Sequence, residues 1–199
     1  MYKLKELPYE YDALEPYIDT HTLGLHHNKH QKNYLNKLNE LLIANDYDFK
    51  YSLEELVNHI DEFPEEDREN ILFNLGGVIN HNIYFSSMSP NKQKPNNILL
   101  REITNTFGSF EVFKEKFKQS ALSIKGSGYT FLVLDNEKLK IVNLLNQDNP
   151  YNYYYAPLIA LDMWEHAYYI NYENKKDIYI DNFFEVIDFG MANKYFKEV

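Results

Sequence analysis

The chain has 199 residues, a formal net charge of −10, 44% hydrophobic and 25% charged residues, and no cysteine. Without thiols it forms no disulfide, iron–sulfur cluster or thiolate site, so any metal must be held by His, Asp, Glu or carbonyl oxygen, a set that suits zinc, manganese, iron or nickel better than copper(I). The negative charge disfavours nucleic acid as a partner, and it repels an anionic substrate at long range unless a local basic funnel outweighs it.

In chain order, the N-terminal MYKLKELPYEY has neither the apolar core of a secretory signal nor the Arg/Ser bias of a transit peptide. A cytoplasmic protein is expected, or one whose leader has been removed. Residues 20–44 carry Leu23, His26, His30, Tyr34, Leu35, Leu38, Leu41 and Leu42 at helical spacing. Ser52-Leu53-Glu54-Glu55 reads as a capping box that starts a short helix running to about Asp61. A further helix is predicted over 68–87, with Ile71, Leu75, Val78, Ile79 and Phe85 as its apolar positions. The stretch 89–95 is a loop by composition and marks a boundary between lobes, 1–88 and 89–199. Helices over 97–107 and 109–124 follow, with Ser109 as N-cap, and Gly126-Ser127-Gly128 ends the helical half.

The pattern then changes. Tyr129–Leu134 and Leu139–Leu145 are β-rich runs joined by Asp135-Asn136-Glu137-Lys138, a hairpin signal, and Pro157–Met163 is a candidate third strand. A tail from Asp177 is helical, with a break near 188–190. The fold class is α+β: a helical N-terminal lobe (an α-hairpin) on a C-terminal lobe with a small three-stranded antiparallel sheet flanked by helices. The apolar runs 129–134 and 157–161 fall far short of the roughly 20 residues of a membrane helix, so no membrane partner is expected.

The chemistry-bearing residues are histidines. His26, His30 and Tyr34 are spaced by four and share one helix face, which Leu23 and Leu38 extend inward. Buried imidazoles need partners, and hydrogen-bonded core histidines are the ordinary alternative to metal ligands. His81 follows Gly76-Gly77 inside a helix, where two glycines cost about 1 kcal/mol each relative to alanine. Gly77 lies one turn before His81 and opens space beside its ring, either for a site or for a helix crossing. Asp162 and His166, four apart at the end of the third strand, would make a compact pair of ligands for a divalent or trivalent ion; an ordinary surface Asp and His is the alternative, against which stands the only tryptophan, Trp164, between them.

The chain resembles the iron/manganese superoxide dismutases over nearly its whole length. The resemblance rests on Leu7-Pro8-Tyr9, Ala13-Leu14-Glu15-Pro16, His26-His27-Asn28-Lys29-His30 with Tyr34, Gly76-Gly77 with Asn80-His81, Gly126-Ser127-Gly128, Asn146-Gln147-Asp148, and the specific Asp162-Met163-Trp164-Glu165-His166-Ala167-Tyr168-Tyr169. It implies metal ligands His26, His81, Asp162 and His166, with solvent in a fifth position held by Gln147, which would reach in through the space left by Gly77. Tyr34 and His30 would line the access funnel. Tyr169 would reach His30, and Glu165 would reach His166, across the interface of a homodimer or of a tetramer built from it. Gly77 together with Gln147 is the manganese-type pattern, iron or either metal being the alternative. The substrate implied is the superoxide anion.

Departures from the family pattern are Gln31 in place of His, Lys176 in place of a funnel arginine, and Phe85, Tyr129, Phe131, Phe184 and Phe189 in place of tryptophans. Tyr129 and Phe131 are expected to wall the metal pocket. Lys29 and Lys176 are the expected guides for an anion, lysine keeping the charge but not the bidentate fork of arginine.

Overall fold

The computed structural model describes residues 1–196. Its first long rod is made of α1 (Thr20–Leu25), a π-helical turn (His26–Gln31) and α2 (Lys32–Ala44). Asp19 caps the start by accepting from the Thr22 N–H. The backbone stays helical through both junctions, but the Lys32 N–H reaches back to the His27 carbonyl, five residues earlier. A π-turn shifts the phase of every later side chain and is found most often at functional positions. It changes the expected stripe: His26 is buried, Tyr34 is half-buried, and His30 is exposed rather than inward.

The predicted capping box is present. Ser52 Oγ accepts from the Glu55 N–H at 3.2 Å, and Glu55 Oε2 accepts from the Ser52 N–H at 2.9 Å. It opens α3 (Leu53–Leu56), which runs into a 3₁₀ stretch, Val57–Glu62. The next helix, α4 (Glu65–Ser86), begins three residues before the sequence reading places it, with Glu65, Glu66 and Asp67 in its first turn, where carboxylates favour the positive end of the helix dipole. α2 packs along α4 as an α-hairpin, and α4 packs in turn on the sheet.

α5 (Asn97–Phe107) and α6 (Phe110–Leu122) are capped by Asn96 and Ser109. Gly108, between them, has a φ of +105°, a conformation that side-chain-bearing residues rarely adopt. β1 (Gly128–Asp135), β2 (Lys138–Leu145) and β3 (Ala156–Asp162) form an antiparallel sheet of order β2-β1-β3. The hairpin turn places Asn136 and Glu137 both at positive φ, the arrangement that matches the strand twist in two-residue loops. β1 is central and mostly buried, which explains why its sequence reads as a continuous apolar run rather than an alternation. α7 (Glu165–Tyr172) follows the third strand almost at once and is absent from the sequence reading. α8 (Lys176–Val186) and α9 (Gly190–Tyr195) complete the described chain, with the break where it is expected.

The two halves share one core. Ser87, at the end of α4, is buried; its hydroxyl donates to the Ile83 carbonyl and accepts from the Ala160 N–H in β3. Met88 bridges to Ile187, and the Ser89 N–H donates to the Val186 carbonyl. These bonds hold the long helix against the strand that ends in Asp162.

Candidate metal centre

His26 sits at the start of the π-turn, His81 five residues before the end of α4, Asp162 at the last position of β3, and His166 in the first turn of α7. One ligand atom from each lies within 4.8 Å of the other three. His26 Nε2 is 3.1 Å and His166 Nε2 is 3.4 Å from Asp162 Oδ2. With metal–nitrogen bonds of about 2 Å, neighbouring ligand atoms of one ion sit roughly 3–4 Å apart, so these separations fit a single ion.

The tautomer of His81 points the same way. Its Nδ1 lies 2.5 Å from the Gly77 carbonyl. A carbonyl only accepts, so Nδ1 carries the hydrogen and Nε2 is left with a free lone pair. Nε2 of His81 and Nε2 of His166 are both buried without a hydrogen-bond partner. Unpartnered buried nitrogens are expensive, and here both face the carboxylate. A metal ion satisfies all of them at once.

Electrostatics favour the ligand forms. Burial drives the His26 imidazole down to about 4, and it holds His81 well below its ordinary value. Both are therefore neutral at pH 7. Burial alone would raise the Asp162 carboxyl, but the His166 and His26 imidazoles beside it outweigh this and keep the carboxylate ionised far below its usual range. The Asp162 backbone and side chain are also fixed: the Trp164 N–H donates to Oδ1 at 2.8 Å, and the Tyr179 hydroxyl donates to the carbonyl at 2.9 Å. Trp164 stacks on His166, and its indole donates to the Asn146 carbonyl.

The two glycines of α4 explain themselves, though not as the sequence suggests. A Cβ on Gly77 would lie 2.5 Å from the Tyr34 ring, and a Cβ on Gly76 would lie 1.9 Å from the Gln147 backbone carbonyl. The space beside Gly77 is thus filled by Tyr34, not by Gln147. Gln147 enters one residue earlier, over Gly76. The buried Gln147 side chain is spanned between two partners: its Oε1 accepts from Asn80 at 3.3 Å, and its Nε2 donates to the Tyr34 hydroxyl at 3.1 Å. Asn80 also donates to the Asp148 carbonyl.

Outside this pair lies an open cleft of about 1100 Å³ walled by α2 and α4. Tyr34, His30 and Phe73 line it, with Lys29, Lys32 and Lys37 as its cations and Glu40 as its acid. In a chain of charge −10 this is a locally basic mouth. Lys32 and Lys37 escape sequence reasoning because helical lysines are ordinary surface residues. Lys176 is placed elsewhere: its Nζ lies 5.6 Å over the Tyr168 ring, and it does not line the cleft. His30 stacks on His166 with centroids 4.2 Å apart. Glu165 and Tyr169 are exposed. Tyr129 reaches His81, whereas Phe131 stacks behind Tyr129 and walls the pocket only through it.

Three imidazoles and one carboxylate closing on a single point fit a mononuclear centre for a first-row metal. Residues 1–89 match the family model for the alpha-hairpin domain of iron/manganese superoxide dismutases, and residues 95–195 match the model for their C-terminal domain. The chain belongs to the iron/manganese superoxide dismutase family. It is 42% identical to the manganese superoxide dismutase of Listeria innocua and 43% identical to that of Listeria ivanovii, in each case over 98% of this chain and 97% of the relative. It is 37% identical to Mn/Fe superoxide dismutase 2 of Staphylococcus aureus over 98% of both chains.

Proposed function

We propose that this chain dismutes superoxide with one manganese ion, iron being the alternative, held by His26, His81, Asp162 and His166. The convergence of four ligand atoms, two of them otherwise unpartnered, carries this reading. Two superoxide ions and two protons become dioxygen and hydrogen peroxide. When bound, the ion supplies a one-electron couple between +3 and +2, taking an electron from one superoxide and returning it to the next.

The protein's task is to admit the anion and deliver protons. Lys29, Lys32 and Lys37 surround the mouth and offset the overall charge over the last few ångströms, within the roughly 8–10 Å range of screened attraction. Tyr34 accepts from Gln147, so its own hydrogen is free for the cleft side. Burial raises the Tyr34 phenol above its ordinary value, and the Gln147 bond only eases this, so it is protonated and able to donate at pH 7. The Asn80–Gln147–Tyr34 series therefore ends on a phenol that lies beside the His81 ring and lines the mouth.

The manganese assignment is supported by Gly77. A glutamine there, the iron-type residue, would collide with Tyr34. A two-fold homodimer is part of the same reading. Exposed Glu165 would accept from the partner's His166, and exposed Tyr169 would reach the partner's His30, in an isologous contact. We place the lobe boundary at residue 89 and the protein in the cytoplasm; no helix of the described residues is long and apolar enough to cross a membrane.

Purified protein loaded with manganese should dismute superoxide and sediment as a dimer. His81→Ala should abolish both activity and stoichiometric metal. Wild-type protein that binds one metal per chain and does not dismute superoxide would overturn the reading.

A further inference from the structure

The Tyr129 hydroxyl is a polar group of the metal pocket that neither the ligand set nor the Gln147–Tyr34 pair employs. Tyr129 is fully buried near the start of the central strand, and its direct partner across β1 and β3 is the ligand Asp162. Directly opposed residues on antiparallel strands share a face, with Cβ atoms about 4.5–5.5 Å apart. Phenol and carboxylate therefore rise side by side into the pocket.

The hydrogen-bond roles around the phenol can be assigned by elimination. The hydroxyl lies 3.4 Å from His81 Nδ1. That nitrogen already donates to the Gly77 carbonyl, so toward Tyr129 it is a donor and the phenol oxygen can only accept. Burial keeps the phenol protonated. The Asp162 carboxylate beside it disfavours the phenolate further. A donor thus faces the oxygen from His81. The phenol's one hydrogen is left for the carboxylate across the strand pair.

We propose that Tyr129 is a positioning residue that donates its hydroxyl hydrogen to Asp162 and thereby biases the bound metal toward its lower oxidation state. The proposal rests on the dismutase reading above. A hydrogen bond donated to a ligand carboxylate draws charge from it, and a ligand that gives less charge to the ion stabilises +3 less than +2.

Tyr129→Phe removes the hydroxyl and keeps the ring that stacks on Phe131. Wild type and variant, both loaded with manganese, are to be compared by visible absorption during titration in a redox buffer. Metal content, thermal unfolding and superoxide dismutation are measured on the same samples. Equal metal content is expected, with the oxidised-to-reduced ratio at a fixed potential raised about tenfold in the variant, the size of one charge-assisted hydrogen bond. An unchanged or lowered ratio overturns the proposal. A variant that unfolds or takes up no metal overturns it too, because the hydroxyl would then be building the site rather than tuning it. Failure of wild type to dismute superoxide defeats the functional reading, whereas an active wild type with an unmoved ratio in Tyr129→Phe defeats only this inference.

Discussion

The helical lobe and the sheet-bearing lobe each bring two side chains to the candidate metal centre, and they do so by different means. Asp162 and His166 come from one strand-to-helix turn, where a backbone N–H two residues on already holds the carboxylate. Their relative placement is largely local. His26 and His81 come from separate helices and meet only because α2 and α4 pack closely enough for Tyr34 to lie against Gly77. The sheet lobe thus presents a preformed half-site, and the helical lobe completes it through tertiary packing. If this contrast holds, damage to the helix packing should cost more than equally small changes in the turn.

The sharpest test sets the adjacent glycines of α4 against each other. Gly76→Ala forces a methyl group onto the Gln147 backbone, which cannot step aside, whereas Gly77→Ala meets the Tyr34 side chain. Alanine contributes about 1 kcal/mol of helix propensity in either place, against overpacking that commonly costs 1–3 kcal/mol and more where backbone is hit. Gly76→Ala should lower stability by about 3 kcal/mol in urea unfolding and reduce metal content. Gly77→Ala should fold and load metal but lose about tenfold in turnover as the Tyr34 hydroxyl is displaced. Equal behaviour of the two variants would erase the distinction between a helix held by the second lobe and a helix that merely makes room.

Acid should separate the lobes as well. His26 titrates near 4 in the folded protein, through burial, and near 6.5 when unfolded. Between those values the unfolded chain binds the additional proton, so metal-free protein should lose stability as pH falls through this window, on the order of 3 kcal/mol from His26 at 1.36 kcal/mol per unit. His81 shifts in the same direction and adds to the loss. Asp162 is also shifted downward, but its window opens at the unfolded carboxylate value of 3.8, so its contribution persists down to that pH and is lost only below it. Urea midpoints measured on metal-free protein at pH 7, 5.5 and 4 should decline steadily. A flat profile over that range would mean that the helical-lobe imidazoles are not buried without metal.

The smallest effect concerns the mouth. Lys32→Glu should slow turnover about twofold to fivefold at low ionic strength and hardly at all at high salt. Lys176→Glu, which lies away from the cleft, should do less. A larger effect of Lys176 than of Lys32, measured across a salt series, would move the approach path from the helical lobe to the sheet lobe.

Much of the fold is legible in the sequence because its signals are local, whereas the four clustered residues are only candidates one by one and come together as a set through the family resemblance. Capping boxes, a hairpin turn, glycine breaks and the Asp-x-x-x-His spacing each depend on a few neighbouring residues, and Ser52, Ser109, Asn136 and Asp162 all stand where those signals put them. What only the tertiary structure decided depends on phase and register. Through the π-turn His30 is left exposed at the cleft with its ring against His166, a placement that a periodicity of four does not give. The occupant of the space beside Gly77 is Tyr34 from the facing helix, set by how α2 and α4 pack. Lys32 and Lys37 become a basic mouth only once that packing leaves a cleft. Tyr129 stands opposite Asp162 because of a strand register that a shift of one residue would turn to the other face. Local sequence encodes which groups a segment carries; which groups meet is encoded by contacts between segments far apart in the chain, and no short window contains both partners.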